Sequence, residues 1–158
     1  YNPEKMVDPS LIIYHPVRYI PGAVIVTNGD QTDTIWKTGD FRSALMTREY
    51  EPDEPNFTPR ISAIYYESGA FEMSILKYKD GRCLREFFCY EGCDEGKGWF
   101  LSTYQGDGNP LPTFAGEPIE VTLPGPEEVW AALNGDNKVS LYANIRGDVR
   151  LFNKNLGD

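Results

Sequence analysis

The chain reads as an α+β domain built mostly from antiparallel sheets, and three features predict this. Between positions 61 and 104, four β-type runs (61–66, 71–78, 83–90 and 99–104) are separated by Ser68-Gly69, Asp80-Gly81 and a glycine-bounded loop at 92–98, the pattern of a meander. Only two or three segments carry helical signals. The aromatic residues Tyr65, Tyr66, Phe71, Tyr78, Phe87, Phe88 and Tyr90 fall on both faces of the meander, so the sheet requires cover on both sides.

Each element has a local reason. Residues 1–9 are polar and turn-rich, with Pro3 and Pro9, and read as a loop leading into a short strand at 11–14 that His15-Pro16 ends. The stretch 17–20 stays extended, Pro21-Gly22 turns the chain, and 23–26 returns, which predicts an antiparallel hairpin. A helix is expected around 34–37, interrupted by Gly39, and Asp40 is placed to cap a second helical segment at 41–47 whose Phe41, Ala44 and Leu45 share one face. Pro52, Pro55 and Pro59 exclude regular structure from 48–60, leaving an acidic loop held between ordered elements, a common setting for a site. A second loop rich in Gly, Pro, Asp and Asn spans 105–116. It precedes a strand at 118–123, then a helix opened by Pro126-Glu127-Glu128 and stopped at Asn134-Gly135. Strands at 139–145 and 149–152 close the chain as a hairpin around Gly147-Asp148. No repeat or linker interrupts this series, so residues 1–158 are read as a single domain.

Charge narrows the partners. With 15 basic and 24 acidic residues the net charge is −9, which disfavours a nucleic-acid groove or an anionic membrane as partner. No apolar run approaches the roughly 18 residues of a membrane span and no leader is visible, so the cytoplasm is the expected compartment. Cys83, Cys89 and Cys93 are odd in number and form no CxxC pair, and His15 is the single histidine, so no metal site is expected. Cys83 and Cys89 read instead as small apolar strand residues.

The polar residues concentrate in one place. In AVIVTNGDQTDTI (23–35) a buried strand runs into Asn28-Gly29, a turn tolerant of positive φ, and then into the helix-starting Thr32-Asp33-Thr34. Asn28, Asp30, Gln31, Thr32 and Asp33 are more polar groups than a turn and a cap require. A tight strand-to-helix turn is the plain reading, and a ligand-facing junction is the other.

TNGDQTDTI, with YHPVR upstream and REYEPDEPNFTPRIS downstream, closely resembles the signature of the archaeal-type IMP cyclohydrolase family. STYQGDGNPLP (102–112) is similar to a block of its bacterial members. The resemblance covers nearly the whole chain. It implies a four-layer αββα sandwich of the Ntn-hydrolase type. It also implies closure of the purine ring of formylaminoimidazole carboxamide ribonucleotide to give IMP and water, with no cofactor. Members carry a further N-terminal segment with arginines, so a segment ahead of Tyr1 is expected, with phosphate ligands in it.

The residues are consistent with that chemistry. Tyr1 cannot play the part of an N-terminal nucleophile, no GxSxG is present, and His15 has no obvious acid partner, so a serine or cysteine triad is disfavoured. Ring closure needs a donor for the formyl oxygen and a base for the amide proton. Matched to the family, Tyr14 stands near the formyl group as donor or general acid, Glu51 as base or amide orienter, and Arg18 and Arg60 at a phosphate or the developing oxyanion. Taken alone, Tyr14 could equally be a core aromatic, each of Glu49, Glu51, Asp53 and Glu54 a solvated charge, and either arginine half of a surface ion pair. Asn28, Gly29, Asp30, Gln31, Thr32 and Asp33 would line base and ribose. Tyr104, Gln105, Asp107 and Asn109 would form a second wall. The expected partner is a small purine ribonucleotide; a homo-oligomer is left open. Two other readings remain: a nucleotide-binding protein without turnover, and another amidohydrolase on the same fold.

Overall fold

A computed structural model of the chain describes residues 13–155. Its centre is a five-stranded sheet of wholly antiparallel neighbours in sequence order, β1 (Val17–Ile20), β2 (Ala23–Thr27), β3 (Arg60–Tyr66), β4 (Phe71–Lys79) and β5 (Arg82–Tyr90). Alternation of side chains along each strand gives the sheet two faces. Ala23, Ile25, Ile64 and Leu76 point to one face, where they form a core with Ile35, Phe41, Ala44 and Leu45 from the helices α1 (Gln31–Thr38) and α2 (Phe41–Met46). The helices stop and start as their residues dictate. Gly39 takes φ 71° and donates its N–H to the Ile35 carbonyl at 2.8 Å, ending α1. Asp40 accepts from the Ser43 amide at 2.6 Å, starting α2.

The remaining chain builds two separate two-stranded ladders, β6 (Lys97–Phe100) with β7 (Ile119–Thr122), and β8 (Ser140–Ile145) with β9 (Asp148–Asn153). The helix α3 (Pro126–Ala132) lies between them in sequence; Glu128 accepts from the Gly125 amide at its start. The protein is therefore α+β with mostly antiparallel strands.

Several boundaries differ from expectation for local reasons. The strand foreseen at 99–104 runs instead from Lys97 to Phe100, and Tyr104 pairs only as a lone bridge with Thr113. The last turn falls on Arg146-Gly147, because Ile145 pairs with Asp148. Of the expected strand at 11–14, Leu11 and Ile12 lie outside the described residues, as does the loop at 1–9, and Ile13 and Tyr14 are not in a strand. Cys83 packs against the core. Cys89 is exposed in a polar cluster, its Sγ 2.5 Å from Arg42 Nη2 and 3.4 Å from Glu72 Oε2, so it is not an apolar packing residue. No helix among the described residues is long and apolar enough to cross a membrane.

Candidate active site

The junction between β2 and α1 lies at the end of the central sheet, beside the first residue of β3. Arg60 is that residue, and its side chain is only 6% exposed. A guanidinium so far from water needs anionic or carbonyl partners, and the junction supplies them: Asp30 Oδ1 at 2.6 Å and Gln31 Oε1 at 2.8 Å. Arg48, two residues past α2, approaches both oxygens of the same Asp30 at 2.5 Å. Asp30 is the N-cap residue of α1 by position, yet it makes no side-chain cap hydrogen bond, because the two arginines engage its carboxylate.

Gly29 permits this. A Cβ built on Gly29 would stand 2.5 Å from both Arg60 Nη1 and Gln31 Oε1, so the position is kept small by a close approach of side chains. Positive φ, the reason expected from the sequence, is not found at Asn28 or Gly29.

The other polar residues of the junction are bonded inward. Asn28 donates to the Pro59 carbonyl at 2.9 Å and accepts from the Ile61 amide at 2.9 Å, stitching the turn to β3. The Gln31 amide donates to Asn28 Oδ1 at 3.1 Å and to the Ile61 carbonyl at 3.2 Å. The Thr27 and Thr32 hydroxyls bond to each other at 2.6 Å, and the one whose proton is not used there donates to the Gly29 carbonyl, which lies 2.8 Å from Thr27 Oγ1 and 2.9 Å from Thr32 Oγ1. Gln31 and Thr32 are fully buried. These side chains form the frame that holds Asp30 and Arg60.

Glu51 faces Arg60 from the acidic loop, Oε1 to Nη1 3.9 Å, with its side chain 13% exposed. Burial pushes its carboxyl above the ordinary range, Arg60 pulls it back, and the charges of Asp53 and Asp30 push it up again. Tyr14 stands in the same field. Burial raises its phenol, the Glu51 charge raises it further, and Arg60 opposes both. Tyr14, Glu51, Arg60, Asp30 and Arg48 thus form one connected cluster: a phenol that keeps its proton, a carboxylate with raised proton affinity, and a held positive charge.

Arg18 belongs to a second, more open group. Its Nε donates to Asp33 Oδ1 at 2.9 Å, its Nη2 lies 3.0 Å from His15 Nδ1, and its guanidinium sits 4.6 Å over the Trp36 ring. Tyr104 is tied to the acidic loop, its hydroxyl 2.6 Å from Thr58 Oγ1. Gln105 accepts from the Ala115 amide at 3.1 Å, and Asp107 and Asn109 are exposed farther along that loop. Sequence reasoning missed Arg48 and Thr58. Arg48 carried one usable signal, a basic residue just past α2 and just ahead of four acids. Thr58 carried none, since its partners arrive by folding. Among the described residues no group of three or more His, Cys, Asp or Glu side chains could hold a metal.

Fold and geometry define an α+β protein with a cluster of acidic and basic groups seated where a strand-to-helix junction meets the end of an antiparallel sheet. Comparison with known families is more specific: IMP cyclohydrolase-like protein matches residues 1–149, and the chain belongs to that family. A search of curated proteins finds no match.

Proposed function

We propose that the protein is an IMP cyclohydrolase that closes the purine ring of formylaminoimidazole carboxamide ribonucleotide, releasing IMP and water. One observation carries the reading: a phenol, a carboxylate with raised proton affinity and a buried guanidinium act on one another electrostatically at the end of the sheet. Both reacting groups sit on one substrate molecule, so the protein's task is to hold a reactive rotamer and supply proton transfers. The carboxamide nitrogen attacks the formyl carbon, forming the C–N bond while Glu51 accepts the amide proton and Tyr14 gives its proton to the formyl oxygen. The resulting hydroxyl then takes the proton back from Glu51 and leaves as water with cleavage of the C–O bond, while the formamide nitrogen gives its proton to the Tyr14 phenolate as the ring C=N bond forms, which restores both side chains. Raised proton affinity suits Glu51 to this role, since a base acts best with a pKa nearer the working pH. The cation at Arg60 lies where it lowers the cost of developing negative charge.

Arg18, Asp33 and the exposed stretch from Gln105 to Asn109 are assigned to substrate contact in this reading, while Asn28, Gly29, Gln31 and Thr32 act as its frame. The reading includes a cytoplasmic setting, a purine ribonucleotide as partner and a four-layer αββα arrangement. In that arrangement the sheet face opposite α1 and α2, with its exposed Val26 and Tyr65, would be an inner layer.

The test is ultraviolet absorbance of the purine as it forms from the formylated ribotide, without added metal or nucleotide cofactor. Turnover that is lost in Tyr14→Phe and Glu51→Gln supports the assignment. Binding of IMP in calorimetry with no ring closure at substrate saturation would replace it with a non-catalytic nucleotide-binding protein.

A further inference from the structure

We propose that Tyr104 is a positioning residue: its hydroxyl fixes the acidic loop, and with it Glu51, by donating to Thr58. This rests on the ring-closing reading only for the role of Glu51.

The loop from 48 to 59 contains no helix or strand, so its shape depends on individual ties, and they converge on Thr58. The Thr58 carbonyl accepts from the Glu51 amide at 2.9 Å. The Thr58 amide donates to Asp53 Oδ1 at 2.6 Å, and the Thr58 hydroxyl bonds to Asp53 Oδ2. Glu51 and Asp53 therefore take their positions from one residue seven and five places ahead.

Direction follows from proton counting. An ionised carboxylate only accepts, and a threonine hydroxyl has a single proton. Thr58 gives that proton to Asp53, so the 2.6 Å contact with Tyr104 runs from the phenol O–H to Thr58 Oγ1. The Tyr104 proton is thereby committed within the protein, which separates this phenol from Tyr14.

Tyr104 can serve as a post because its own loop is anchored. It bridges to Thr113, Gln105 N–H donates to the Pro112 carbonyl at 2.9 Å, and Phe114 N–H donates to the Thr103 carbonyl at 3.1 Å. The Phe114 carbonyl accepts from Lys77 Nζ at 3.1 Å; Lys77 is a buried residue of β4 that also pairs with Glu86 at 2.5 Å. A second tie, Leu111 N–H to Asn56 Oδ1 at 3.3 Å, joins the two loops. A continuous path thus leads from the sheet through Lys77, Phe114, Tyr104 and Thr58 to Glu51.

The experiment compares Tyr104→Phe, Thr58→Val, their combination and Thr58→Ser in the full chain, by amide hydrogen exchange at Glu51 and by kcat and KM for ring closure. Tyr104→Phe is expected to speed exchange of the Glu51 amide by about tenfold, the scale of one hydrogen bond. It should lower kcat by a similar factor and leave KM unchanged. Thr58→Val should do the same, the combination should be no worse than Thr58→Val, and Thr58→Ser should stay near the parent. Unchanged exchange in Tyr104→Phe, a loss confined to KM, or effects of the two variants that add independently would each overturn the proposal. Absence of turnover in the parent protein would remove the ring-closing reading, and the exchange rates would still decide whether Tyr104 holds the loop.

Discussion

Two arginine–aspartate contacts sit three residues apart at the start of α1, and they differ chiefly in how far the guanidinium is withdrawn from water. Arg60 meets Asp30 with its guanidinium almost wholly out of water, and Arg48 and Gln31 complete the cluster. Arg18 meets Asp33 at a similar distance, but Asp33 is 31% exposed and the nearby His15 is exposed too. The inner guanidinium has little access to water when its carboxylate is lost; the outer one keeps it. Position in the fold therefore makes one pair part of the architecture of the site and leaves the other adjustable.

The largest effect should come from breaking the inner pair. Asp30→Ala leaves Arg60 buried without its carboxylate, which costs about 3–5 kcal/mol in comparable cases. Urea denaturation should record a loss of that order. A loss under about 1 kcal/mol would mean that water or Glu51 replaces Asp30 and that the two pairs are energetically alike.

Glu51→Gln sharpens the contrast on the chemical side. We expect a fall in kcat of about 100-fold or more, within the range that general acid–base groups supply, with the protein still folded. The stability effect has the opposite sign. Because the folded pKa of Glu51 lies above its unfolded value, its ionised form costs stability at neutral pH, and stability rises as pH falls through the folded value. Glu51→Gln should thus melt at or above the parent temperature near pH 7, and that difference should disappear in acid. The parent kcat should fall as Glu51 protonates, at a pH above the ordinary carboxylate range. On the alkaline side the raised Tyr14 phenol keeps its proton beyond the ordinary phenol range.

Gly29→Ala comes next. The new Cβ would press on Arg60 Nη1 and Gln31 Oε1 at 2.5 Å, so one of them has to move, at a cost of about 2 kcal/mol, typical of overpacking. A calorimetric melt within experimental error of the parent would show that the inner cluster is not tightly packed.

These contrasts also explain what the sequence could disclose. The core sheet was legible because its determinants are local: Ser68-Gly69 and Asp80-Gly81 delimit β3 to β5, and Asp40 caps α2 by itself. The tight cluster at the junction was legible only as a surplus of polar residues. Local pattern cannot say which of them turn inward, so Gln31 and Thr32 read as ligand-facing although Ser62, Ile61 and Gly29 claim them. Arg60 looked available to a phosphate, and the fold instead engages it with Asp30. Those partners lie 29 to 31 residues away in sequence for Gln31 and Arg60, a distance over which hydrophobic period and turn chemistry carry no information. The 99–104 strand failed for a related reason, since pairing with β7 lies beyond its own pattern.

Disruption of the outer pair should have the smallest effect, and it has a signature of its own. Burial pushes the Asp33 carboxyl upward, but hydrogen bonds from Arg18 and then His15 outweigh it, and the net position is below the usual range. A depressed carboxylate contributes stability above its unfolded pKa of roughly 3.9 and loses that contribution as pH falls through the folded value. Asp33→Asn should therefore cost about 0.5–1 kcal/mol near neutral pH, the scale of a part-exposed ion pair. That deficit should close once pH falls below the folded value, itself below the usual carboxylate range, where the parent carboxyl is protonated, and should shrink in 1 M salt, where the screening length falls to about 3 Å. Asp30→Ala should show little relief from the same salt, because the charge it leaves behind is shielded by protein from counterions. Equal salt dependence in the two variants would erase the distinction between the pairs.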